Sequence, residues 1–282
     1  MPRNVRTRDA SLGDVPCSLH LAALPTSIYR EYAPPPALRR HLICAWTLEI
    51  GAGTRRHHQR VLPDGCSDIV WIGEAPPIVV GPMTHSALST SEAGTTLVGL
   101  RLRPEAAART LGVRAQEVVD RHVRLDQLWR RQEVRDASER LLGQRTAAAR
   151  VATALSLLSS RRDEIRSRDS IVEHAVSLVT AAERVDRVAR ELGISARQLR
   201  RRFLASVGYS PKTFQRILRF QKLLAIARAH PSTRLDHVAL LAGYADQAHM
   251  TREVGQFAGV TPSALLGKVV SALALSDLLT RI

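Results

Sequence analysis

The chain has few cysteines and no long apolar segment, and each of these lacks excludes a class of protein. Its three cysteines, Cys17, Cys44 and Cys66, are widely spaced and form no CxxC pair. The sequence therefore indicates neither a disulfide framework nor a structural zinc site. No run of roughly eighteen apolar residues is present, and the N-terminus lacks the apolar core of a signal peptide. We expect a cytoplasmic protein without a membrane span.

Sequence patterns typical of enzymes are missing too. The chain contains no HxH or HExxH spacing, no phosphate loop and no dinucleotide fingerprint. Adjacent His57 and His58 would point to opposite faces of a strand, so they cannot line one pocket without a bulge. We therefore predict no catalytic residues, no metal site and no cofactor. Residue types that bind metals are nevertheless present in the N-terminal part: His57, His58, Asp64, Cys66, Asp68 and His85.

Acidic residues are far outnumbered by basic ones. The chain has 41 Lys+Arg against 26 Asp+Glu, a formal net charge of +15, and only Lys212, Lys222 and Lys268 are lysines. Residues 183–230 hold twelve basic and three acidic residues, a net +9, whereas residues 231–257 have a net charge of −1. This balance indicates an anionic partner. The first segment should supply most of the attraction to phosphates, and the second should contribute more to discrimination between sites.

One stretch, Val185 to Val207, has the pattern of a helix-turn-helix. Gly193 stands where the first helix should end, and Ser195 is a good N-cap for the second. Leu199 and Phe203, four residues apart, give the second helix an apolar side. The first helix is predicted by apolar residues at helical spacing: Val185, Val188, Ala189 and Leu192.

The second helix of this unit carries arginines on the side away from its apolar pair. Arg197 and Arg201 lie opposite that pair, with Arg200 on the flank and Arg202 nearer the buried side. A guanidinium donates two parallel hydrogen bonds to guanine or to a phosphate, so this face is suited to DNA. An isolated helix of this kind is more often a solvated basic face, and the rest of the chain decides between the two interpretations.

A second unit of the same form follows about fifty residues later. Gly243 should end its first helix, Asp246 should cap the next, and Met250 and Val254 form the buried side. Its outward face is less basic and consists of Ala248, His249, Thr251 and Arg252. Between the units, Pro211 to Ala229 has no internal proline or glycine, and at about 1.5 Å per residue it spans about 28 Å, close to the roughly 34 Å turn of B-DNA. One helix could therefore hold two recognition helices in successive major grooves.

In this order and spacing, Ile171 to Leu266 resembles the DNA-binding domain of AraC-type (AraC/XylS) transcription regulators. The matching stretches are VARELGISARQLRRRF, GYSPKTFQRILRFQKLLAIA and AGYADQAHMTREVGQFAGVTPSAL. Met250 and Val254 replace the phenylalanines usual in the family, which suggests a looser second core. The resemblance implies a protein that binds double-stranded DNA. By position it assigns base reading to Arg197, Arg200 and Arg201 of the first unit and to Arg252 of the second, supported by Gln247, His249 and Thr251.

The region before this domain has a different texture. From about residue 37 to 103, short segments rich in Val, Ile, Thr and Trp alternate with Gly, Pro and Asp turns, which predicts a small antiparallel β barrel or sandwich. A PDG turn at Pro63 to Gly65, the pair Gly81-Pro82 and the stretch Gly99 to Pro104 resemble the N-terminal domain of an uncharacterised subset of AraC-type regulators. No defined activity comes with that resemblance.

After Pro104 the pattern predicts helices over residues 105–113, 115–123, 125–142 and 148–158. Their apolar stripe fits either core packing or the homodimer interface common in the family, and both interpretations stay open. In the strands, Trp46 and Trp71 are expected core residues. Arg101 and Arg103 would share a strand face and, if buried together, would indicate an anionic effector. The stripe comprises Leu125, Leu128, Trp129, Leu141, Leu142, Leu155 and Leu158.

These observations predict an α+β protein with a flexible arm at 1–24 and a β-rich sensing or oligomerisation domain at 25–158. An all-α double helix-turn-helix domain follows at 171–267, with a helical tail at 268–282. The predicted function is a sequence-specific transcription regulator reading two successive major grooves. Control by a small-molecule effector and contact with RNA polymerase stay open. Two rival functions are a nucleic-acid enzyme using Asp64 and Asp68 as metal ligands, and a nonspecific architectural binder.

Overall fold

The computed structural model describes residues 27–53, 56–161, 165 and 168–267. The predicted arm and tail lie outside the described residues. The strands are β1 (Ser27–Tyr32), β2 (Leu42–Ile50), β3 (Arg56–Val61), β4 (Ser67–Ile72), β5 (Ile78–Val80), β6 (Ala87–Glu92), β7 (Thr96–Leu102) and β8 (His122–Arg124). The helices are α1 (Pro104–Leu111), α2 (Arg131–Leu142), α3 (Ala147–Ser160), α4 (Ser170–Thr180), α5 (Val185–Glu191), α6 (Ala196–Val207), α7 (Pro211–Ala229), α8 (Leu235–Ala242) and α9 (Gln247–Ala258).

The strands form two antiparallel sheets. The larger has the order β1-β2-β7-β4-β5-β8, and the smaller pairs β3 with β6. Side chains alternate between the two faces of a strand, and one face of the large sheet packs against α1, α2 and α3 around Ile69, Leu100 and Leu125. The opposite face carries the apolar cluster of Trp46 and Leu97. This β-rich region followed by helices confirms the predicted α+β class.

The predicted helix over residues 115–123 is wrong. This segment forms a short 3-10 turn at Ala115–Glu117 and then enters strand β8, which pairs with β5. Asp120 has a φ of +55°, a left-handed conformation that an α-helix does not contain. Val123 lies opposite Val79 in the sheet. The predicted helix over 125–142 is also too long, because α2 begins only at Arg131.

The helical domain follows the predicted pattern closely. Gly193 and Gly243 have φ angles of +64° and +93° and stand just past the ends of α5 and α8. Ser195 caps α6, since its Oγ accepts a hydrogen bond from the Gln198 backbone N–H at 3.2 Å and its own N–H donates to Gln198 Oε1 at 2.9 Å. The connecting helix α7 has the expected nineteen residues. Local sequence signals therefore place both helix-turn-helix units.

The two units share one apolar core around α7. Met250 and Val254 are fully buried in it, and the rings of Phe220 and Phe257 lie 5.4 Å apart beside them. In the N-terminal domain, core packing accounts for most of the apolar stripe after residue 104, and a homodimer interface there stays a prediction. Four members of that stripe are at most 5% exposed, whereas Leu142 is 36% exposed; the four are Leu125, Trp129, Leu141 and Leu158.

Candidate nucleic-acid interface

The buried side of α6 determines which of its residues face solvent. Leu199 and Phe203 are fully buried, which turns the opposite side of the helix to solvent. Arg197, Arg200 and Arg201 are exposed there. None of the three makes an ion pair with a described residue, so their guanidiniums are available to bases or phosphates.

Other arginines of the helical domain are engaged within the protein. Arg202 pairs with Asp169, the N-cap of α4, at 2.6 Å. Arg216 and Arg219, both on α7, pair with Glu253 of α9 at 2.6 and 2.7 Å. Chain spacing does not distinguish these structural arginines from the available ones, because their carboxylate partners lie 33 or more residues away in sequence.

The exposed face of α9 is smaller and less charged. Gln247, Thr251 and Arg252 are exposed, and Thr251 Oγ1 donates a hydrogen bond to the Gln247 carbonyl at 2.8 Å. Asp246 caps the helix by accepting the His249 N–H at 2.6 Å. Arg252 has no ion-pair partner among the described residues. Arg252 is also the single arginine of α9, so it supplies the guanidinium of this exposed face.

His249 lies deeper than its neighbours on α9. Its ring meets Tyr244 edge-on with centroids 5.3 Å apart. Its Nε2 lies 3.7 Å from Glu253 Oε1 and 3.5 Å from Arg219 Nη2. This ring is therefore held in a cluster with Tyr244, Glu253 and Arg219. The resemblance assigned His249 a supporting role at the DNA surface.

Glu253 is the centre of that cluster and is only 4% exposed. Burial would raise the pKa of its carboxyl group, but hydrogen bonds from Arg219 and Arg216 and their charges outweigh burial and lower it. The guanidinium of Arg219 also stacks 4.7 Å from the Tyr244 ring centroid. This ionic cluster attaches the second recognition helix to α7.

An open groove of about 590 Å³ lies along the recognition face of α6. Its walls include Arg197, Arg200 and Arg201, and also Gln116, which belongs to the N-terminal domain. The 3-10 turn carrying Gln116 packs directly on α6. Sequence reasoning did not single out Gln116, because nothing in the chain spacing connects it with a helix some eighty residues later.

The candidate residues of the N-terminal domain have structural partners. Arg101 is 2% exposed and pairs with Asp68 at 3.2 Å and Asp64 at 3.7 Å. Asp68 also accepts a hydrogen bond from Trp46 Nε1 at 2.8 Å. Arg103 is only half-buried and donates to a backbone carbonyl. The two arginines are thus not a buried pair, and the charge of Arg101 is balanced.

His57 and His58 do lie on opposite faces of β3, as predicted. His57 is 1% exposed and His58 is exposed. Cys44 and Cys66 are buried. Within the described ranges, no group of three or more His, Cys, Asp or Glu side chains is arranged to hold a metal ion.

Models of known protein families match two parts of the chain. A family model described as a helix-turn-helix domain matches residues 188–268, which include α6 and α9. The chain carries a DNA-binding domain of the AraC type. A second model, described as a domain of unknown function (DUF6597), matches residues 30–124. With this AraC-type domain, the protein is a DNA-binding transcription regulator. No curated protein matches the sequence.

Solved structures with a similar chain path include several of ToxT from Vibrio cholerae. An apo variant of ToxT is 12% identical, with a TM-score of 0.42 over 86% of this chain and 98% of that one. ToxT bound to (E)-4-(8-methylnaphthalen-1-yl)but-3-enoic acid is 10% identical, with a TM-score of 0.41 over 86% and 99% of the two chains. ToxT bound to an unsaturated fatty acid is 11% identical, with a TM-score of 0.37 over 86% and 95%. The similarity is distant, and the bound molecules are those of ToxT.

Among the described helices of the AraC-type regulator, none is long and apolar enough to cross a membrane.

Proposed function

We propose that the AraC-type regulator reads two successive major grooves of one DNA duplex, with α6 in the first and α9 in the second. The observation that carries this proposal is the difference between exposed arginines without an ion-pair partner and arginines paired with carboxylates. Arg197, Arg200 and Arg201 on α6, and Arg252 on α9, are exposed and have no ion-pair partner among the described residues. Neighbouring arginines are held by carboxylates.

The two recognition helices should contribute differently to binding. Three guanidiniums on α6 give the first helix most of the base and phosphate contacts. On α9, Arg252 should be the chief reader, with Gln247 and Thr251 beside it. His249 should support this surface indirectly, because its ring packs on Tyr244. The second helix therefore adds discrimination more than affinity.

Selection of bound sequences from a random DNA pool tests this function. The wild-type protein should yield two blocks about 10 base pairs apart. Alanine substitutions of Arg197, Arg200 or Arg201 should weaken the definition of the first block, and Arg252→Ala that of the second. Arg202→Ala is the matched control on α6, since Arg202 is held by Asp169. A pool without any motif, with binding that falls equally for all sequences as salt rises, would overturn the proposal.

We also propose that a small molecule binds in the N-terminal domain and alters DNA binding. The support is a pair of buried polar side chains on one face of β3, His57 and Gln59, which are 1% and 6% exposed and interact with each other. Burial lowers the pKa of His57, so its neutral ring can donate at one nitrogen and accept at the other.

A thermal-shift screen of polar metabolites, with His57→Leu as the matched variant, tests this effector site. A ligand of the site should raise the Tm of the wild type, leave that of the variant unchanged, and change the Kd for the operator. A compound that raises the Tm of both proteins equally, or that leaves the operator Kd unchanged, would contradict effector control through His57. Dimerisation and contact with RNA polymerase stay predictions.

The two rival functions receive less support. Asp64 and Asp68 neutralise the buried Arg101, so they are poor candidates for the metal ligands of a nuclease or recombinase. A nonspecific binder would not need two capped helices that each present exposed side chains. Competition with random DNA separates that function from a regulator, because a specific binder typically prefers its site by about 10³–10⁷.

A further inference from the structure

The N-terminal domain contacts the C-terminal end of the first recognition helix. Gly208, the C-cap of α6, has a φ of +95°. A Cβ placed on it would lie 2.8 Å from Val119 Cγ2 and 3.0 Å from Pro82 Cγ. The next residue, Tyr209, is buried and donates its hydroxyl to the Met83 carbonyl at 3.2 Å. The end of α6 is therefore held closely against the turn that follows β5.

A second contact holds the C-terminal end of the second recognition helix. The carbonyl of Ala258, the last residue of α9, accepts hydrogen bonds from Arg60 Nη1 at 3.0 Å and from Ser86 Oγ at 2.9 Å. Arg60 lies on β3, and Ser86 directly precedes β6. A helix end has carbonyls without intrahelical partners and a negative dipole, so a guanidinium there both completes hydrogen bonding and balances charge.

A third contact holds the connecting helix α7 near its middle. Gln221 is 1% exposed, and its Nε2 donates to the Pro63 carbonyl at 2.6 Å. A Cβ placed on Gly65 would lie 2.6 Å from the ring of Phe214. An amide side chain buried beside the apolar core around α7 needs such a partner, because an unmet hydrogen bond is costly there.

These contacts explain the short motifs of the N-terminal domain. The PDG turn, Pro63 to Gly65, and the turn containing Gly81 and Pro82 both lie against the helical domain. Arg101 of the third motif pairs with Asp64 inside the PDG turn. The first two motifs therefore form one docking surface for the helical domain, and the third holds the PDG turn through Asp64.

We propose that the N-terminal domain is a clamp that sets the distance and rotation between the two recognition helices, and that Arg60 is its positioning residue on α9. The clamp consists of Arg60, Pro63, Gly65, Pro82, Met83 and Ser86. One folded body touches the ends of both recognition helices and the helix between them. Release at α9 would leave this helix held only by its own domain. The inference rests on the two-groove function and adds that the protein measures the spacing between the two blocks of its operator.

The decisive variant is Arg60→Ala in the full-length protein, with Arg56→Ala as its control. Arg56 lies on the same strand, is exposed, and pairs with Glu92 of the adjacent strand at 3.2 Å. Each protein is titrated with the selected operator and with versions carrying one base pair fewer, one more or two more between the blocks. The wild type and Arg56→Ala should bind the altered operators much more weakly than the selected one. The ratio of the Kd for an altered operator to the Kd for the selected operator should be about fivefold smaller in Arg60→Ala than in the wild type. A fivefold effect lies at the lower end of typical coupling between two sites.

The first block alone, as a short duplex, should bind all three proteins equally, since the Arg60 guanidinium donates to Ser86 and to the end of α9. An unchanged spacing preference in Arg60→Ala would overturn the clamp. Ser86→Ala, which removes a smaller part of the same contact, repeats the measurement if Arg60→Ala does not fold.

Hydrogen–deuterium exchange of the free proteins supplies a readout that needs no operator. The amides of residues 255–259 should exchange faster in Arg60→Ala than in Arg56→Ala, because the end of α9 has lost its partner. Equal amide exchange in the two variants would overturn the clamp proposal, even if the protein reads both blocks of DNA. Faster exchange together with a selection that yields no two-block motif would instead count against the two-groove function and leave the clamp intact.

Discussion

Neighbouring arginines of one helix have different surroundings in this regulator. On α6, Arg201 is exposed without an ion-pair partner among the described residues, whereas Arg202 pairs with Asp169 at the start of α4. The difference is one position along the chain, which is about 100° around the helix. We therefore propose that Arg201 serves recognition and that Arg202 serves stability.

Arg201→Ala and Arg202→Ala should separate these two tasks. Arg201→Ala is expected to cost about 1–3 kcal/mol of binding at its own base position, as for a lost bidentate contact, and to relax specificity there. Arg202→Ala should lower the free energy of unfolding by about 0.5–1 kcal/mol, since its ion pair is partly exposed. Operator titrations and urea unfolding of both variants check this. Equal effects of the two variants on both measurements would contradict it.

Glu253 should make the stability of the helical domain depend on acidity. The pKa of its carboxyl group is lowered from the usual 4.5, since Arg219 and Arg216 outweigh burial. A lowered pKa means that the stabilisation is complete above the unfolded pKa and is lost as the pH falls through the folded one.

Glu253→Gln should therefore lower the free energy of unfolding at pH 7 by about 1–3 kcal/mol, as for lost charged hydrogen bonds. The difference from the wild type should narrow as the pH falls below about 4.5. Urea unfolding between pH 3 and pH 7 measures it. A difference that stays constant over this range would show that the charge of Glu253 is not what stabilises the cluster.

At the scale of elements, the groove along α6 is lined by side chains of two domains. The helix supplies three guanidiniums, and the 3-10 turn at Ala115–Glu117 supplies Gln116 on the other side of the same groove. If DNA binds along α6 as proposed, we expect its backbone beside the first block to pass close to Gln116. Its amide can donate to a phosphate without adding charge.

Gln116→Glu should weaken DNA binding by placing a carboxylate beside Arg197, Arg200 and Arg201. The expected loss is about 1 kcal/mol at low salt and smaller at high salt, because exposed charges are screened. Gln127→Glu is the matched control, since Gln127 is also exposed but lies beside the start of α2. Fluorescence anisotropy at two salt concentrations measures both. Equal losses in the two variants would mean that net charge, and not position in the groove, is responsible.

At the scale of the whole molecule, the two domains are joined by buried contacts and should unfold together. The apolar core of the helical domain includes Leu62 of the N-terminal domain. Gln221 and Tyr209 each reach across with a hydrogen bond. Contacts of this kind transmit a local loss of stability from one domain to the other.

Gly65→Ala and Gly94→Ala should measure how much this interface contributes. Both glycines have positive φ, +87° and +74°, so both substitutions carry similar backbone strain. Only at Gly65 would the added Cβ also meet Phe214, at 2.6 Å, whereas nothing lies within 4 Å at Gly94. Gly65→Ala should therefore destabilise by about 1–3 kcal/mol more, as for overpacking. Calorimetric unfolding measures this, and equal losses would argue against a tight interface.

The sequence predicted elements whose signals are local. The caps Ser195 and Asp246, the glycines after α5 and α8, and α7 all depend on residues a few positions apart. The same approach did not identify β1, β6 or β8 as strands, since their pairing partners, and not their own residues, decide that they are strands. It also placed a helix over residues 115–123, whose apolar residues suit either structure.

By itself the sequence determined that this protein has two capped helix-turn-helix units on one helix and an excess of arginine on the first. Only the tertiary structure decided which arginines remain available, that the His249 ring packs on Tyr244, and that Gln116 borders the recognition groove. The physical reason is range. Helix caps and periodicity act within a few residues, whereas ion pairs such as that of Arg216 with Glu253 join side chains 37 positions apart. Their formation depends on how the domains pack.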